Sequence, residues 1–267
     1  MNMSPDYGGY ADLPFVAEFY DPVYESLARR DVQFYVDCAK KAGGRVLELG
    51  CGTGRVLIPT ARAGCHVTGL DISPFMLDKC RENLARQSED VRARVKLVRA
   101  DMTAFDTGER YALVTIPFRP FQHLITVAEQ KACFACANRH LERGGRLILD
   151  VYHPYLPALI DTKYLMEMQV DPEIALADGR TLRRTTRIAA FHRGEQYNDV
   201  EIIHYVKYPD GRQERLVHAF KMRYFYRYEM EHLLALGGFK VAEFFGNFDR
   251  SPFSGESPEM IFVAEKV

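Results

Sequence analysis

A glycine-rich turn directly after an apolar run is the stretch of this chain best suited to chemistry. The run 45–49 reads as a strand, and Gly50, Gly52 and Gly54 follow it at once. Glycines let the backbone turn tightly and let a ligand approach it, because no Cβ stands in the way. A helix predicted over residues 55–64 would direct free N–H groups and its positive dipole end toward an anion. The pattern therefore predicts a ligand with a negative group at the carboxyl end of this strand.

Three acidic side chains lie at or beside the ends of successive predicted strands, and together they suggest the ligand. Glu48 precedes the first glycine, Asp71 ends the predicted strand 65–71, and Asp101 ends the predicted strand 95–101. A carboxylate in the position of Asp71 can accept hydrogen bonds from both hydroxyls of a ribose. Asp101 could accept one from an exocyclic adenine amine, and Glu48 suits an ammonium group better than a pyrophosphate. An amino-acid head, a ribose and an adenine are combined in S-adenosylmethionine (SAM), which we predict as the ligand.

A nicotinamide or flavin nucleotide is the alternative ligand for such a turn. Those nucleotides usually bind to G-x-G-x-x-G, whereas the third glycine comes one position earlier here, as G-x-G-x-G. This spacing and the additional carboxylate of Asp101 disfavour a nicotinamide-dependent oxidoreductase. A non-catalytic SAM-binding module is a second alternative, for which a degraded glycine motif would be expected.

Residues 45 to 152 alternate short apolar runs with helical patterns. The predicted strands are 45–49, 65–71, 95–101, 111–116 and 146–152, and the predicted helices are 55–64, 74–87 and 122–142. The last helix is expected to end at the Gly144-Gly145 pair. Strands that alternate with helices imply right-handed crossovers and a parallel sheet that is covered on both faces.

The pattern changes to β-like runs after Pro154. The runs 181–193, 197–208 and 212–225 predict an antiparallel sheet of three or four strands inserted into the α/β unit. The basic run from Arg180 to Arg187 is expected to be a solvated strand face, because acidic residues of the same region balance its charge. A helix over 227–238 and strands over 239–246 and 259–266 are expected to close the main sheet.

The composition limits the classes of partner. The 35 Lys and Arg residues balance 36 Asp and Glu residues, so the formal net charge is −1. An even balance argues against a chain that binds phosphate backbones or anionic membranes. The polar N-terminus resembles no signal peptide, and every apolar run is too short to cross a bilayer. We therefore expect a cytoplasmic protein with no nucleic-acid or membrane partner.

The cysteines predict neither disulfides nor a metal site. The six of them show no disulfide spacing. Cys133 and Cys136 form a C-x-x-C pair within the predicted helix, and His140 could be a third ligand on the same face. A zinc site would need a second pair at similar spacing, which the sequence lacks. We interpret the pair as small residues on a buried helix face.

Four motifs together resemble the class I SAM-dependent methyltransferases. They are E-L-G-C-G-T-G at 48–54, G-L-D-I-S at 69–73, R-A-D-M at 99–102 and L-E-R-G-G-R-L-I-L-D at 141–150. The resemblance covers essentially the whole chain and includes Tyr-Asp-x-x-Tyr at 20–24. It implies a Rossmann-like α/β sheet of seven strands in the order 3-2-1-4-5-7-6, with strand 7 antiparallel. The chain is most similar to small-molecule N- and O-methyltransferases with an inserted β-sheet cap, such as the amino-sugar and glycine N-methyltransferases.

The resemblance also implies how the chain is divided. Residues 1–40 would form an N-terminal helical lid and residues 41–154 the SAM-binding α/β core. Residues 155–225 would form the inserted antiparallel cap, and residues 226–267 the C-terminal helix and the closing strands. A homodimer through the exposed edge of the cap is a further implication.

The resemblance implies a set of cofactor-binding residues. They are Tyr20, Glu48, Gly50, Cys51, Gly52, Gly54, Arg55, Asp71, Ile72, Met76, Asp101, Met102 and Ile116. In this set the glycines lie under the methionyl part of SAM, and Ile72 and Met76 enclose the adenine. Arg55 either pairs with the carboxylate of SAM or is a solvated residue of the first helical turn.

The reacting end is expected beyond the fourth and fifth strands. His123 is the candidate general base, because its unperturbed pKa of about 6.5 leaves it largely neutral at pH 7; the alternative is a structural histidine at a loop–helix junction. Tyr20 is the second catalytic candidate, since its element folds over SAM as a lid in the family. The candidate substrate-binding residues are Tyr24, Phe118, Arg119, His123, Tyr152 and His153. Arg119 either pairs with an acidic substrate or is a solvated loop residue.

The predicted function is transfer of the methyl group of SAM to a nitrogen or oxygen atom of a small molecule by in-line displacement, with S-adenosylhomocysteine as product. Enzymes that methylate exocyclic amines of nucleic acids usually have an Asn/Asp-Pro-Pro-Tyr/Phe loop after the fourth strand. Residues 115–118 read Thr-Ile-Pro-Phe, without the acid or amide and the second proline. A protein, peptide or RNA acceptor is the alternative.

Overall fold

Two helices precede the central sheet. The computed structural model describes residues 9–25, 30–169 and 171–267. Residues 1–8 and 26–29 of the predicted lid and residue 170 of the predicted cap lie outside the described residues. Helix α1 spans Pro14–Glu25, and α2 spans Asp31–Ala42. Helix α2 ends where Gly43 takes the left-handed conformation with φ of 69°.

Five parallel strands and their helices follow. The strands are β1 (Val46–Leu49), β2 (Val67–Asp71), β3 (Val95–Arg99), β4 (Tyr111–Ile116) and β5 (Leu141–Tyr152). The helices are α3 (Leu57–Arg62), α4 (Pro74–Ala85), α5 (Glu89–Ala93) and α6 (Val127–His140), and a short 3-10 helix covers Pro120–His123. Ser73 begins α4 by accepting a hydrogen bond from the backbone of Met76 at 3.2 Å, with Pro74 as the first helical residue.

The helix predicted over 122–142 is wrong at its start, because two separate helices occupy this stretch. The 3-10 helix Pro120–His123 ends first, and α6 begins only after Thr126. Thr126 accepts a hydrogen bond from the backbone N–H of Glu129 at 3.2 Å, and the carboxylate of Glu129 accepts one from the backbone N–H of Thr126 at 2.8 Å. This reciprocal capping fixes the new start, which the apolar periodicity alone does not show.

The predicted end of this helix is wrong as well. Helix α6 ends at His140 and β5 begins at Leu141, so the glycine pair lies within the strand. The ammonium group of Lys266 donates to the carbonyl oxygens of Asn138 and Leu141 at 2.7 and 2.8 Å. A distant lysine therefore satisfies carbonyl groups at this helix end, and Gly144, with φ of 75°, accommodates an irregular start of β5.

A second sheet follows β5. Helix α7 (Leu156–Ile160) and a 3-10 turn (Thr162–Leu165) lead to strands β6 (Met168–Gln169), β7 (Ile174–Ala175), β8 (Thr181–His192), β9 (Tyr197–Lys207) and β10 (Gln213–Arg223). The order is β10-β9-β8-β6, with β7 also paired to β8, and every pairing is antiparallel. The sheet has five strands rather than the predicted three or four, because two strands of only two residues form in the irregular stretch before β8.

The chain returns to the central sheet at its end. Helix α8 spans Arg227–Leu236, β11 spans Phe239–Phe245, and β12 spans Glu259–Lys266. The sheet order is β3-β2-β1-β4-β5-β12-β11, and β12 is antiparallel to both neighbours. This order confirms the predicted fold class, a Rossmann-like sheet in the order 3-2-1-4-5-7-6 with strand 7 antiparallel.

Helix α1 lies between the two sheets and so closes one side of the space between them. Phe19 and Val23 pack against Leu182 and Val206 of the second sheet. Val16 and Ala17, on the same helix, form a cluster with Met76 of the core.

Among the described residues, no helix is long and apolar enough to cross a membrane. Nor do the described residues include a group of three or more His, Cys, Asp or Glu side chains that could hold a metal ion.

Candidate active site

A cavity of about 410 Å³ lies at the carboxyl ends of β1 to β4. The loops after these strands form its floor, side chains of α1 and of the segment before it form one wall, and the inward face of the second sheet forms another. Open α/β sheets bind their ligands at this edge, where the strand order reverses.

The structure brings most of the predicted site residues to this cavity. Those that line it are Tyr20, Tyr24, Gly50, Gly52, Asp71, Ile72, Met76, Asp101, Met102, Phe118, Arg119 and His123. Those that do not line it are Glu48, Cys51, Gly54, Arg55, Ile116, Tyr152 and His153.

The glycine turn presents bare backbone to the cavity. Gly50 and Gly52 have φ angles of 70° and 53°, which only glycine adopts without strain. A Cβ at Gly52 would meet no atom within 4 Å, so this position faces open space. Asp71 accepts hydrogen bonds from the backbone N–H groups of Gly52 at 2.8 Å and Ser73 at 2.9 Å. The carboxylate at the end of β2 therefore fixes the turn after β1, although burial raises its pKa.

A second carboxylate lies at the end of β3. Oδ1 of Asp101 accepts hydrogen bonds from the backbone and the hydroxyl of Thr103, both at 2.8 Å. Together with Asp71 and the open backbone of the turn, this carboxylate provides acceptors for a ribose and an amine at one edge of the sheet. The residues present therefore fit SAM.

Glu48 and Arg55 lie beside the cavity and have partners elsewhere. Glu48 is buried, accepts a hydrogen bond from the backbone of Leu57, and has a pKa raised to about 8 by that burial. Arg55 donates to both oxygens of Asp31, at 3.1 and 2.6 Å, and its guanidinium lies 4.6 Å from the centre of the Phe118 ring. Both residues support the site from behind rather than lining it.

The other predicted residues outside the cavity pack close to the turn or at the far end of β5. A Cβ at Gly54 would lie 2.8 Å from Sγ of Cys80, so Gly54 lets the turn pack closely against α4. A Cβ at Gly69 would lie 2.9 Å from Sγ of Cys51, so Cys51 packs the turn closely against β2. Ile116 is fully buried in the core. The backbone of Tyr152 donates to Gln122 at 3.0 Å, and Nδ1 of His153 lies 2.9 Å from the carbonyl oxygen of Ser257.

Aromatic rings enclose the side of the cavity nearest α1. The ring centres of Tyr20 and Tyr24 are 4.5 Å apart, and Phe118 meets Tyr24 edge to face at 4.8 Å. Burial, reinforced by Tyr24, raises the pKa of Tyr20, so its hydroxyl stays protonated at neutral pH. Rings packed in this way exclude water from the space that they border.

His123 lies on the 3-10 helix between Tyr10 and Phe220, each with a ring centre 5.3 Å away. Nδ1 of the ring is enclosed without a hydrogen-bond partner among the described residues. Burial, with a contribution from the neighbouring His218, lowers the pKa of His123 to about 4. The imidazole is therefore neutral at pH 7.

The turn after β4 has two consecutive residues in a conformation that side chains disfavour. Phe118 and Arg119 have φ angles of 67° and 71°. The backbone N–H of Phe118 donates to Oδ1 of the fully buried Asp150 at 2.8 Å, and Tyr35 donates to the same oxygen at 2.5 Å. Arg119 lines the cavity and forms an ion pair with Glu259. Surrounding contacts thus hold a strained turn in place.

The sequence reasoning missed the residues that the second sheet contributes. They are Arg184, Thr186, Val200, Ile202, Phe220 and Met222, and Tyr10 of the N-terminal segment joins them. The expectation that the basic run is solvated is wrong for Arg184, which is only 9% exposed. Strand alternation was the available signal, since Arg184 shares a face with the apolar Leu182.

Comparisons with known proteins agree with this geometry. Residues 46–145 match the family model of a methyltransferase domain. The chain is 24% identical over 247 residues to a putative methyltransferase of Geobacillus, and the aligned region covers 92% of this chain and 93% of the relative. It is 25% identical to the solved structure of the CcbJ methyltransferase from Streptomyces caelestis, with a TM-score of 0.75 and coverage of 98% and 99% of the two chains.

A further solved structure contains the cofactor. This is a SAM-bound amino pentose methyltransferase from Micromonospora echinaspora, to which the chain is 25% identical, with a TM-score of 0.68 and coverage of 93% of this chain and 96% of the other. The predicted cofactor is therefore confirmed. The chain contains a methyltransferase domain at residues 46–145 and is a SAM-dependent methyltransferase with the class I fold.

Proposed function

We propose that this enzyme transfers a methyl group to a nitrogen or oxygen atom of a small molecule by in-line displacement. The observation that supports the proposal is the position of the cavity, which lies between the strand ends, α1 and the second sheet. A space bordered on three sides by packed side chains can position two small reactants and keep water away from them. The likeness to an amino pentose methyltransferase also favours a small acceptor.

The core side of the cavity is assigned to the methyl donor. SAM supplies a methyl group that its positive sulfur already activates toward attack by a lone pair. Asp71 would bind the ribose hydroxyls and Asp101 the adenine amine, while Gly50 and Gly52 lie under the methionyl part. Glu48, Cys51, Gly54, Arg55 and Ile116 would act on the cofactor only through the shape of the turn and of the neighbouring loop.

The remaining walls are assigned to the acceptor. Helix α1 would act as a lid, and the second sheet would act as the cap predicted for residues 155–225. Tyr20, held as a neutral phenol, would donate a hydrogen bond rather than take up a proton. His123 would take up the proton that a neutral amine or hydroxyl loses after it gains the methyl group.

Methyl-labelled SAM incubated with the protein and a cell extract is expected to place the label in molecules that pass a small-pore ultrafilter. Liquid chromatography separates labelled products in the filtrate from unreacted SAM, these products and the retained fraction are counted separately, and Asp71→Ala serves as the inactive control. Label retained with protein or RNA would contradict a small acceptor. Tight binding of SAM with no transfer to any fraction would instead favour a non-catalytic module.

His123→Gln is expected to lower kcat for the acceptor so identified by about 10²-fold, the lower end of what a general base contributes. Glutamine is similar in size to histidine and can still form hydrogen bonds but cannot take up a proton, so the variant tests proton uptake rather than folding. Because the pKa of His123 is lowered to about 4, the wild-type base stays neutral and competent down to about pH 5. Profiles of kcat against pH for both proteins measure this; equal turnover at every pH would leave His123 a structural residue.

A further inference from the structure

One guanidinium group faces the cavity from the second sheet. Nε of Arg184 donates to Oδ2 of Asp171 at 2.5 Å, and Nη1 donates to the hydroxyl of Tyr24 at 3.3 Å. Nη2 has no hydrogen-bond partner among the described residues, and Arg184 lines the cavity. The ion pair with Asp171 holds the side chain, so its remaining N–H donors are fixed in direction before any ligand binds.

Beyond the partners of Arg184, four apolar side chains of the second sheet line the cavity. They are Val200 and Ile202 of β9, which pairs with β8, and Phe220 and Met222 of β10, which pairs with β9. In a poorly hydrated space, N–H donors left without an acceptor cost free energy. A ligand that presents an acceptor to Arg184 and an apolar body to these side chains is therefore favoured over one that presents neither.

The acidic groups are distributed so that this part of the cavity favours an anion. In the described part of the chain, the acids that line the cavity are Asp71 and Asp101, both at strand ends on the side assigned to SAM. Asp171 and Glu259 pair with Arg184 and Arg119 but do not line the cavity. Each pair thus presents its positive end to the ligand, and a protonated amine placed there would be repelled.

We propose that the methyl acceptor is a small carboxylic acid with an apolar or aromatic body, whose carboxylate binds Arg184. The planar guanidinium matches a carboxylate in shape, and the apolar side chains of β9 and β10 receive the body of the molecule. This inference rests on the proposed function, since it assigns the acceptor subsite of the same cavity. It narrows the acceptor from any amine or alcohol to one that carries a negative charge away from the reacting atom.

The test compares four probes of similar shape on protein saturated with S-adenosylhomocysteine: phenylacetate, its neutral amide phenylacetamide, phenethylamine, and benzyl phosphonate. NMR titration gives each dissociation constant. Phenylacetate is expected to bind at least about tenfold more tightly than phenylacetamide or phenethylamine, as for a charge-assisted contact. Equal or tighter binding of phenethylamine would overturn the proposal. Tighter binding of benzyl phosphonate would assign Arg184 to a phosphoryl group and also overturn it.

Matched variants test whether the preference for phenylacetate depends on Arg184. Arg184→Gln combined with Asp171→Asn removes both members of the pair, so no unpaired carboxylate stays buried. This double variant is expected to bind phenylacetate no more tightly than phenylacetamide. The control is Arg183→Gln, the same change on the neighbouring residue, which stacks on Tyr205 and does not line the cavity. Retained preference for phenylacetate in the double variant, or its loss in the control, would contradict the assignment.

Cofactor binding separates the failure of this inference from that of the proposed function. Titration with S-adenosylhomocysteine alone is expected to give the same affinity for the wild type and the double variant. If the wild type fails to bind it, the assigned SAM site is wrong, and the same ranking of probes is then expected in the cofactor-free protein. If it binds and the probes show no preference for phenylacetate, only the carboxylate proposal is wrong.

Discussion

Asp71→Ala is expected to raise the dissociation constant for S-adenosylhomocysteine by about 10³-fold, because two hydrogen bonds to a charged group are each worth about 1.5–3 kcal/mol. The substitution removes the proposed acceptor for both ribose hydroxyls. It also removes the acceptor for the backbone N–H groups of Gly52 and Ser73, which hold the glycine turn in its shape. Both losses act at the same cavity, and isothermal titration calorimetry measures their sum.

Two control variants separate the contribution of the negative charge of Asp71 from its contribution to the shape of the glycine turn. Asp71→Asn keeps an oxygen acceptor for the turn and is expected to lose only about tenfold in affinity, as for one weakened charge-assisted contact. Asp78→Ala makes the same change on the exposed face of α4, where the carboxylate contacts Arg81, and is expected to leave the affinity unchanged. Wild-type affinity in Asp71→Ala, with an unchanged melting temperature, would show that the ribose binds elsewhere.

The position of the glycine turn and of the acids at the strand ends could be predicted because backbone geometry determines it. The glycines of the turn and the acids that end β2 and β3 are placed by strand topology, which follows from the alternation of apolar runs and helices. A parallel sheet brings the carboxyl ends of neighbouring strands to one edge. The prediction that Asp71 and Asp101 lie at one cavity therefore needed no knowledge of side-chain packing.

The other side of the site could not be predicted, because long-range partners decide it. Arg55 was expected at the cofactor carboxylate or in solvent, but it is bound to Asp31 of α2. Arg184 was expected in solvent and instead lines the cavity, because the face of β8 that it shares with Leu182 turns inward. Each outcome depends on how elements far apart in sequence pack together, which local periodicity does not specify.

The turn after β4 combines backbone strain with a buried acceptor. Left-handed conformations of Phe118 and Arg119 cost about 1–3 kcal/mol each and persist only where surrounding structure maintains them. Asp150 does so by accepting from Phe118, while Tyr35 of α2 donates to the same carboxylate oxygen. The ring of Phe118 contacts Tyr24 and completes the aromatic wall of the cavity. A single carboxylate on β5 thus connects α2, the turn and the wall.

Asp150→Ala is expected to lower the free energy of unfolding by about 3 kcal/mol, since two buried donors lose their acceptor at about 1–3 kcal/mol each. The loss stays near the low end of the range because burial and the nearby Glu259 raise the pKa of Asp150, so removal of the carboxylate also relieves an unfavourable charge. In a chain of this size the change corresponds to roughly 6–12 °C in Tm, which differential scanning calorimetry measures.

Asp150→Asn distinguishes the lost acceptor from the lost charge. Its amide oxygen can accept from both Phe118 and Tyr35, so stability is expected to remain within about 1 kcal/mol of the wild type, as for an intact hydrogen bond. If the turn depends on this acceptor, the alanine variant also weakens acceptor binding, because the Phe118 ring is released from the wall, whereas the asparagine variant does not. A Tm within the experimental error of the wild type for Asp150→Ala would mean that neighbouring side chains, not this hydrogen bond, maintain the left-handed turn.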